Sequence, residues 1–222
     1  MNKMKLTLSA ALLAAALPLL QGCFPLVAGG VAVGVMSAHD RRLTGVQADD
    51  ETSEWKAAAG IPEQYKEKSH VNFTAFNQRV LITGEVPNEE AKTLIGQQTL
   101  KIDRVLTIYN ELTVGPASSL SSRSTDAYIT SKIKARFVDS NQLSANHVKV
   151  VTENGTAHLL GILNAQEAKV AVNIARTTDG VRKVINVMEI VPETETRRID
   201  STLTGGAQKT PAKSAPAPVE TR

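Results

Sequence analysis

Residues 148–169 read VKVVTENGTAHLLGILNAQEAK, and their period changes partway along. Val148, Val150, Ala157 and Leu159 alternate onto one face. Between the two runs stands Asn154-Gly155, a pair suited to the positive φ angles of a two-residue hairpin turn. After Gly161 the apolar spacing becomes helical: Ala168, Val172 and Ala175, with Ala171 and Ile174 beside them, form one face. Asn164 stands where a helix is capped, and Glu167 lies near the positive helix end. Val181, Val184, Met188 and Ile190 then return to a strand. The order is hairpin, helix, strand.

The same order occurs earlier in the chain. At a constant offset of 77, VNFTAFNQRVLITG (71–84) aligns with VKVVTENGTAHLLG (148–161), and the match runs without a gap through Lys92 and Lys169. Asn77-Gln78 stands at the first turn, and Asn88 or Pro87 opens the helix beside Glu90. Val105, Ile108, Leu112 and Val114 correspond to Val181, Val184, Met188 and Ile190 at an offset of 76, with Asn110 over Asn186. An internal repeat of this kind means one supersecondary unit used twice.

Each hairpin is preceded by a candidate helix. Ser124-Thr125-Asp126 can cap a helix from about Ala127 to Val138, with Ile129, Ile133 and Phe137 as its apolar stripe. In the first copy Gly60-Ile61-Pro62 interrupts, so the helix around Trp55–Ala59 is expected to be short, with Trp55 in the core or between domains. The expected fold is α+β: two tandem small α-β-β-α-β domains, each a three-stranded mixed sheet with two helices on one face. The domains are placed at 46–115 and 124–192, joined by a linker at 116–123 that carries Pro116 and several serines.

The ends differ from this middle. Lys3 and Lys5 precede the apolar run Leu6–Leu20, in the order of a secretory signal that is too short to span a bilayer. Leu20-Gln21-Gly22-Cys23 resembles the bacterial lipobox, which implies removal of residues 1–22 and a covalent diacylglyceryl and N-acyl lipid on Cys23. Cys23 is the single cysteine, so no internal disulfide exists. Phe24, where Asp would signal inner-membrane retention in enteric lipoproteins, points to the outer membrane. The expected tether occupies 23–45; its glycine-rich part, Phe24–Ser37, reads as membrane-proximal, with a buried strand as the alternative. Residues 193–222, rich in Thr, Pro, Ala and Lys, read as a disordered tail.

The repeated hairpin-Gly, Ala-bearing helix and Gly-Val-x-x-Val-x-Asn strand resembles the BON domain. The second copy carries it on Gly161, Glu167, Ala168, Gly180-Val181, Val184 and Asn186. The first keeps Gly84, Ala91, Val105 and Asn110 but has Asp103-Arg104 where the family usually places Gly, so its last turn is expected to be distorted. With the lipobox, the tandem resembles dual BON-domain outer-membrane lipoproteins of the DolP/YraP type. That resemblance implies a non-enzymatic envelope protein, lipid-anchored and facing the periplasm, that binds anionic phospholipid and supports outer-membrane integrity. It also implies membrane contact through the first helix of the second domain, and so by Tyr128, Ile129, Lys132 and Arg136, with Lys134 adding charge. The residues alone give Ile129, Ile133 and Phe137 a core-facing reading as well.

Other function classes find less support. The formal charge is +3, or +1 without Lys3 and Lys5, and no basic stripe interleaved with aromatics suggests nucleic acid. His39, His70, His147 and His158 lack ligand spacing, so no metal site or cofactor is expected; His158 is expected at the surface or hydrogen-bonded. No GxSxG elbow is present, and catalytic residues are not assigned. The remaining alternative is a periplasmic docking adaptor for an outer-membrane assembly or cell-wall remodelling factor.

Overall fold

A computed structural model describes residues 40–203. The signal segment, Cys23, most of the tether and residues 204–222 lie outside the described residues. The first unit contains α1 (Thr44–Ala59), α2 (Glu63–Lys66), β1 (His70–Phe76), β2 (Arg79–Val86), α3 (Glu89–Leu100), β3 (Thr107–Asn110) and β4 (Thr113–Val114). The second contains α4 (Leu120–Ser140), a 3₁₀ turn (Ala145–His147), β5 (Val148–Glu153), β6 (Thr156–Leu163), α5 (Ala165–Arg176), β7 (Lys183–Asn186) and β8 (Glu189–Ile190). A last helix, α6, spans Glu193–Leu203.

Each hairpin is antiparallel, with two-residue turns between Phe76 and Arg79 and between Glu153 and Thr156. Asn77, Gln78, Asn154 and Gly155 all have positive φ, which matches the right-handed strand twist. The following helix crosses over and returns the chain parallel to β2 or β6, pairing Val80 with Ile108 and Ala157 with Val184. Asn88 and Asn164 cap these helices by accepting the backbone N–H groups of Ala91 and Glu167 at 2.8 and 2.9 Å. Glu167 returns the bond to Asn164 N–H, completing a capping box.

The third strand of each sheet is split in two, where the sequence suggests one continuous strand. Asn110 bends over the break: its Oδ1 accepts from Leu112 N–H, and its Nδ2 donates to the Lys92 carbonyl at 2.9 Å. Asn186 Oδ1 accepts from Met188 N–H at 2.9 Å. The break turns Leu112 and Met188 into the two cores.

The two long helices of each unit cover one sheet face. In the second, Ile129, Ile133 and Phe137 of α4 meet Ala168, Ala171 and Ile174 of α5 over Val148, Ala157 and Leu159. The first core is built on Val80, Ile82, Ala91 and Ile95, with Tyr65 of α2 filling in. Opposite sheet faces join in a third cluster: Phe76 and Leu81 pack with Leu160, Ile162 and Val187. Polar pairs rim this seam, among them Lys149 with Glu54 and Arg79 with Glu189, each at 3.1 Å.

Five expectations need correction. Helix α1 does end at Gly60, but it is sixteen residues long, because it packs along β1 through the small or polar residues Asp50, Ser53 and Ala57 without an apolar stripe. Helix α4 begins at Leu120 inside the expected linker, capped by Ser119, which accepts Ser122 N–H. Asp126 is not a cap: its carboxylate is buried and accepts the turn amides of Asn154 and Gly155. Asp50 holds the amides of Asn77 and Gln78 in the same way. Residues 40–45 are not loose tether either, since Arg41 is buried and α1 starts at Thr44. The expected disordered tail opens instead as α6, with Thr196 buried and Ile199 packed on the seam.

The first copy's last turn is intact. Arg104 takes φ 73° where Gly180 takes φ 93°, so the turn is preserved and the strain is carried by a non-glycine residue. A side chain in this region costs about 1–2 kcal/mol, and the exposed Arg104–Asp49 pair returns little of it. Arg104→Gly is therefore expected to stabilise the chain by up to about 1 kcal/mol, read as a higher denaturant midpoint; a lower midpoint refutes the strain.

Candidate functional site

Helix α4 has two faces. Asp126, Ile129, Ile133 and Phe137 point inward. A helical projection puts Leu120, Ala127, Tyr128, Ser131, Ala135 and Val138 on the outward side. Leu120, Tyr128 and Val138 are 78%, 64% and 63% exposed. Between Leu120 and Val138 the single carboxylate is Asp126, which is buried; Asp139, one residue further along α4, is exposed and projects on the same side as Tyr128. Lys132 Nζ lies 4.9 Å from the Tyr128 ring centroid and 3.1 Å from the exposed Asp179 carboxylate. Lys134 is exposed and forms no ion pair among the described residues.

The four residues expected to contact lipid therefore separate. Tyr128 and Lys132 stand together at the surface. Ile129 is core, and its methyl-bearing atoms close on Gly180. Arg136 is half-buried and donates to the Ile174 carbonyl (2.9 Å), Thr178 Oγ1 (2.7 Å) and Thr177 Oγ1 (3.0 Å). It closes the C-terminal end of α5, where a cation satisfies orphan carbonyls. Leu120 and Val138 replace these two on the exposed face, where Lys134 stands as expected. Their signal is the projection opposite the core stripe, visible once the helix is extended back to Leu120.

Two clefts flank the second domain. One, about 450 Å³, lies at the seam beside α4 and is bordered by Arg42, Phe76, Lys134, Val138 and Lys149. There the Arg42 guanidinium lies 4.1 Å over the Phe76 ring and pairs with Asp40 and Asp50. The other, about 620 Å³, runs along α5 and the third strand past Lys169, Val172, Arg176, Asn186 and Ile190. Trp55, expected inside, is 72% exposed on α1 beside Val71 and Phe73. His158 is also displaced from expectation: it is buried in β6, and burial pushes its pKa down. Among the described residues, one group of ligand-type side chains converges, His70 with Glu85 and Glu153.

The BON-domain family model matches residues 49–116 and again 125–192. Outer membrane lipoprotein DolP of Haemophilus influenzae is 39% identical over 181 residues, covering 81% of this chain and 94% of that protein. A 21 kDa hemolysin of Actinobacillus pleuropneumoniae is 35% identical over 154 residues, 68% of this chain and 79% of the relative. The CdsD structural protein of the type III secretion system of Chlamydia trachomatis is similar only at a TM-score of 0.29 and 14% identity, over 64% of this chain and 94% of that one. The chain belongs to the BON-domain family, as a dual-BON outer-membrane lipoprotein of the DolP type.

Proposed function

We propose that the chain binds anionic phospholipid at the membrane surface through the outward face of α4, and so supports outer-membrane integrity without catalysing a reaction. The lipid on Cys23 holds it at the membrane, facing the periplasm; the folded domains then read the surface. The observation that carries this reading is the outward face of α4, where Leu120, Tyr128 and Val138 are exposed beside Lys132 and Lys134, with Asp139 at its C-terminal edge and Asp179 against Lys132. Apolar and aromatic side chains enter the headgroup boundary, while each lysine near an anionic surface contributes about 1 kcal/mol. Ile129 and Arg136 act indirectly, by packing α4 and tying it to α5.

A lipid-free form beginning at Ser37 is expected to sediment with vesicles containing phosphatidylglycerol and not with zwitterionic vesicles. Tyr128→Ala and the pair Lys132→Glu/Lys134→Glu are expected to weaken binding at least about tenfold, and added salt to weaken it further. Binding that ignores both lipid charge and these variants would remove the proposal. A second reading, docking of a protein, is favoured by the apolar cleft along α5, where Val172 and Ile190 meet Lys169 and Arg176. Partner capture lost in Val172→Glu but insensitive to salt would support it.

A further inference from the structure

At the seam between the sheets, three side chains from three strands approach one another. His70 on β1 stands across the antiparallel pair from Glu85 on β2, and Glu153 ends β5 of the other domain. His70 Nδ1 is 3.4 Å from Glu85 Oε2 and 3.9 Å from Glu153 Oε1, and the three donor atoms all lie within 4.8 Å of one another. We propose that His70, Glu85 and Glu153 form a divalent-metal site, suited to a borderline ion such as Zn²⁺, that fastens the first domain to the second.

The donor set is right for such an ion: one imidazole and two carboxylates leave a position for water. Zinc bonds of about 2.0–2.2 Å place tetrahedral donors roughly 3.3–3.5 Å apart. The side chains already stand near that spacing, so small rotations suffice. The side chains are only 10–17% exposed, and a cleft of about 360 Å³ opens beside them past Asn72, Asp126 and Thr130, giving room for entry and for a bound water.

Charge points the same way. Neither Glu85 nor Glu153 has a lysine or arginine ion-pair partner among the described residues. Arg123 lines the cleft but donates to the Ser118 carbonyl and hydroxyl oxygens. Asp126 and Glu153 line the same cleft, and Glu85 and Glu153 both face His70. A dication relieves that crowding of carboxylates. Outer contacts are in place too: Ser118 N–H donates to Glu85 at 2.9 Å, and Asn72 Nδ2 donates to Glu153 Oε2 at 3.1 Å. Such groups orient ligands in protein metal sites.

The test is Zn²⁺ titration of the full chain, purified in detergent without an affinity tag and freed of metal by a chelator. One ion per chain is expected. His70→Gln and Glu153→Gln should each weaken binding more than about 100-fold, beyond what loss of an outer-shell contact costs, while His147→Gln binds as the parent does. Without metal, Glu153→Gln is expected to unfold no earlier than the parent, since it removes a crowded carboxylate. X-ray absorption of the zinc-loaded parent, which needs no variant, should give one imidazole with carboxylate oxygens. No saturable uptake, uptake retained in both variants, or a shell with several imidazoles would each overturn the site.

Discussion

Gly84→Ala is expected to unfold the first domain, with a loss of at least about 4 kcal/mol. A Cβ on Gly84 would lie 1.9 Å from the His70 carbonyl oxygen and 2.9 Å from its carbon, both backbone atoms that cannot yield without breaking the hairpin. Its φ of +114° is also closed to other residues. Strained φ alone costs about 1–3 kcal/mol, so the clash sets the scale. The second copy shares the device: a Cβ on Gly161 would meet the His147 carbonyl oxygen at 2.4 Å. Gly45 is the control. It lies in α1 with nothing within 4 Å of an added Cβ, so Gly45→Ala should stabilise by up to about 1 kcal/mol. Thermal unfolding checks both: the midpoint of Gly84→Ala should fall by at least about 8 °C. A midpoint for Gly84→Ala as high as that for Gly45→Ala would refute the argument.

The residues that made the repeat legible are those whose chemistry is local. Asn154-Gly155 specifies its turn, Asn88 and Asn164 cap their helices, and the alternation of Val148 and Val150 selects a face; each acts on neighbours a few residues away. What stayed hidden depends on distant partners. Asp126 looked like a cap because an acid before an apolar stripe usually is one, yet it serves a turn 28 residues on. Helix α1 lacks an apolar stripe, and Trp55 stays outside because it projects opposite the Asp50, Ser53 and Ala57 face that packs inward, while Tyr65 of α2 fills the core. The seam between the sheets did leave a trace: β2 is buried from Val80 to Val86, and such a run departs from the alternation of a one-sided strand. Helix α6 left one too, in Pro192 followed by Glu193 and Glu195 and then Arg197 and Arg198, an order that suits a helix start and its i,i+3 and i,i+4 pairs. His70, Glu85 and Glu153 show no spacing that sequence could reveal, since two domains must dock before they meet.

Arg41→Met is expected to cost about 3 kcal/mol near pH 7, because it strips the cation from a buried cluster and leaves its carboxylates facing one another. The Arg41 guanidinium donates to both Glu167 oxygens at 2.8 and 2.9 Å, to both Asp200 oxygens at 2.8 Å, and to the Ile162 carbonyl at 2.8 Å. It thereby joins the segment before α1, the capped start of α5 and the last helix. Its bonds hold the Asp200 carboxyl below the usual range; for Glu167, burial pulls upward, but Arg41 and the Asn164 amide outweigh it. Burial, aided by Arg41's charge, holds the His147 pKa down. All three folded-state values are depressed, so their stabilisation is present above the unfolded values, about 4 for the carboxyls and 6.5 for histidine. It is lost as pH falls through the folded ones. The gap in unfolding free energy between parent and Arg41→Met should therefore be widest near neutrality and narrow steadily below about pH 4. Denaturant titrations from pH 7 to pH 3 measure it. A gap that stays constant with pH would mean that Arg41 acts through packing alone, and that the clasp joining both ends of the described chain is not electrostatic.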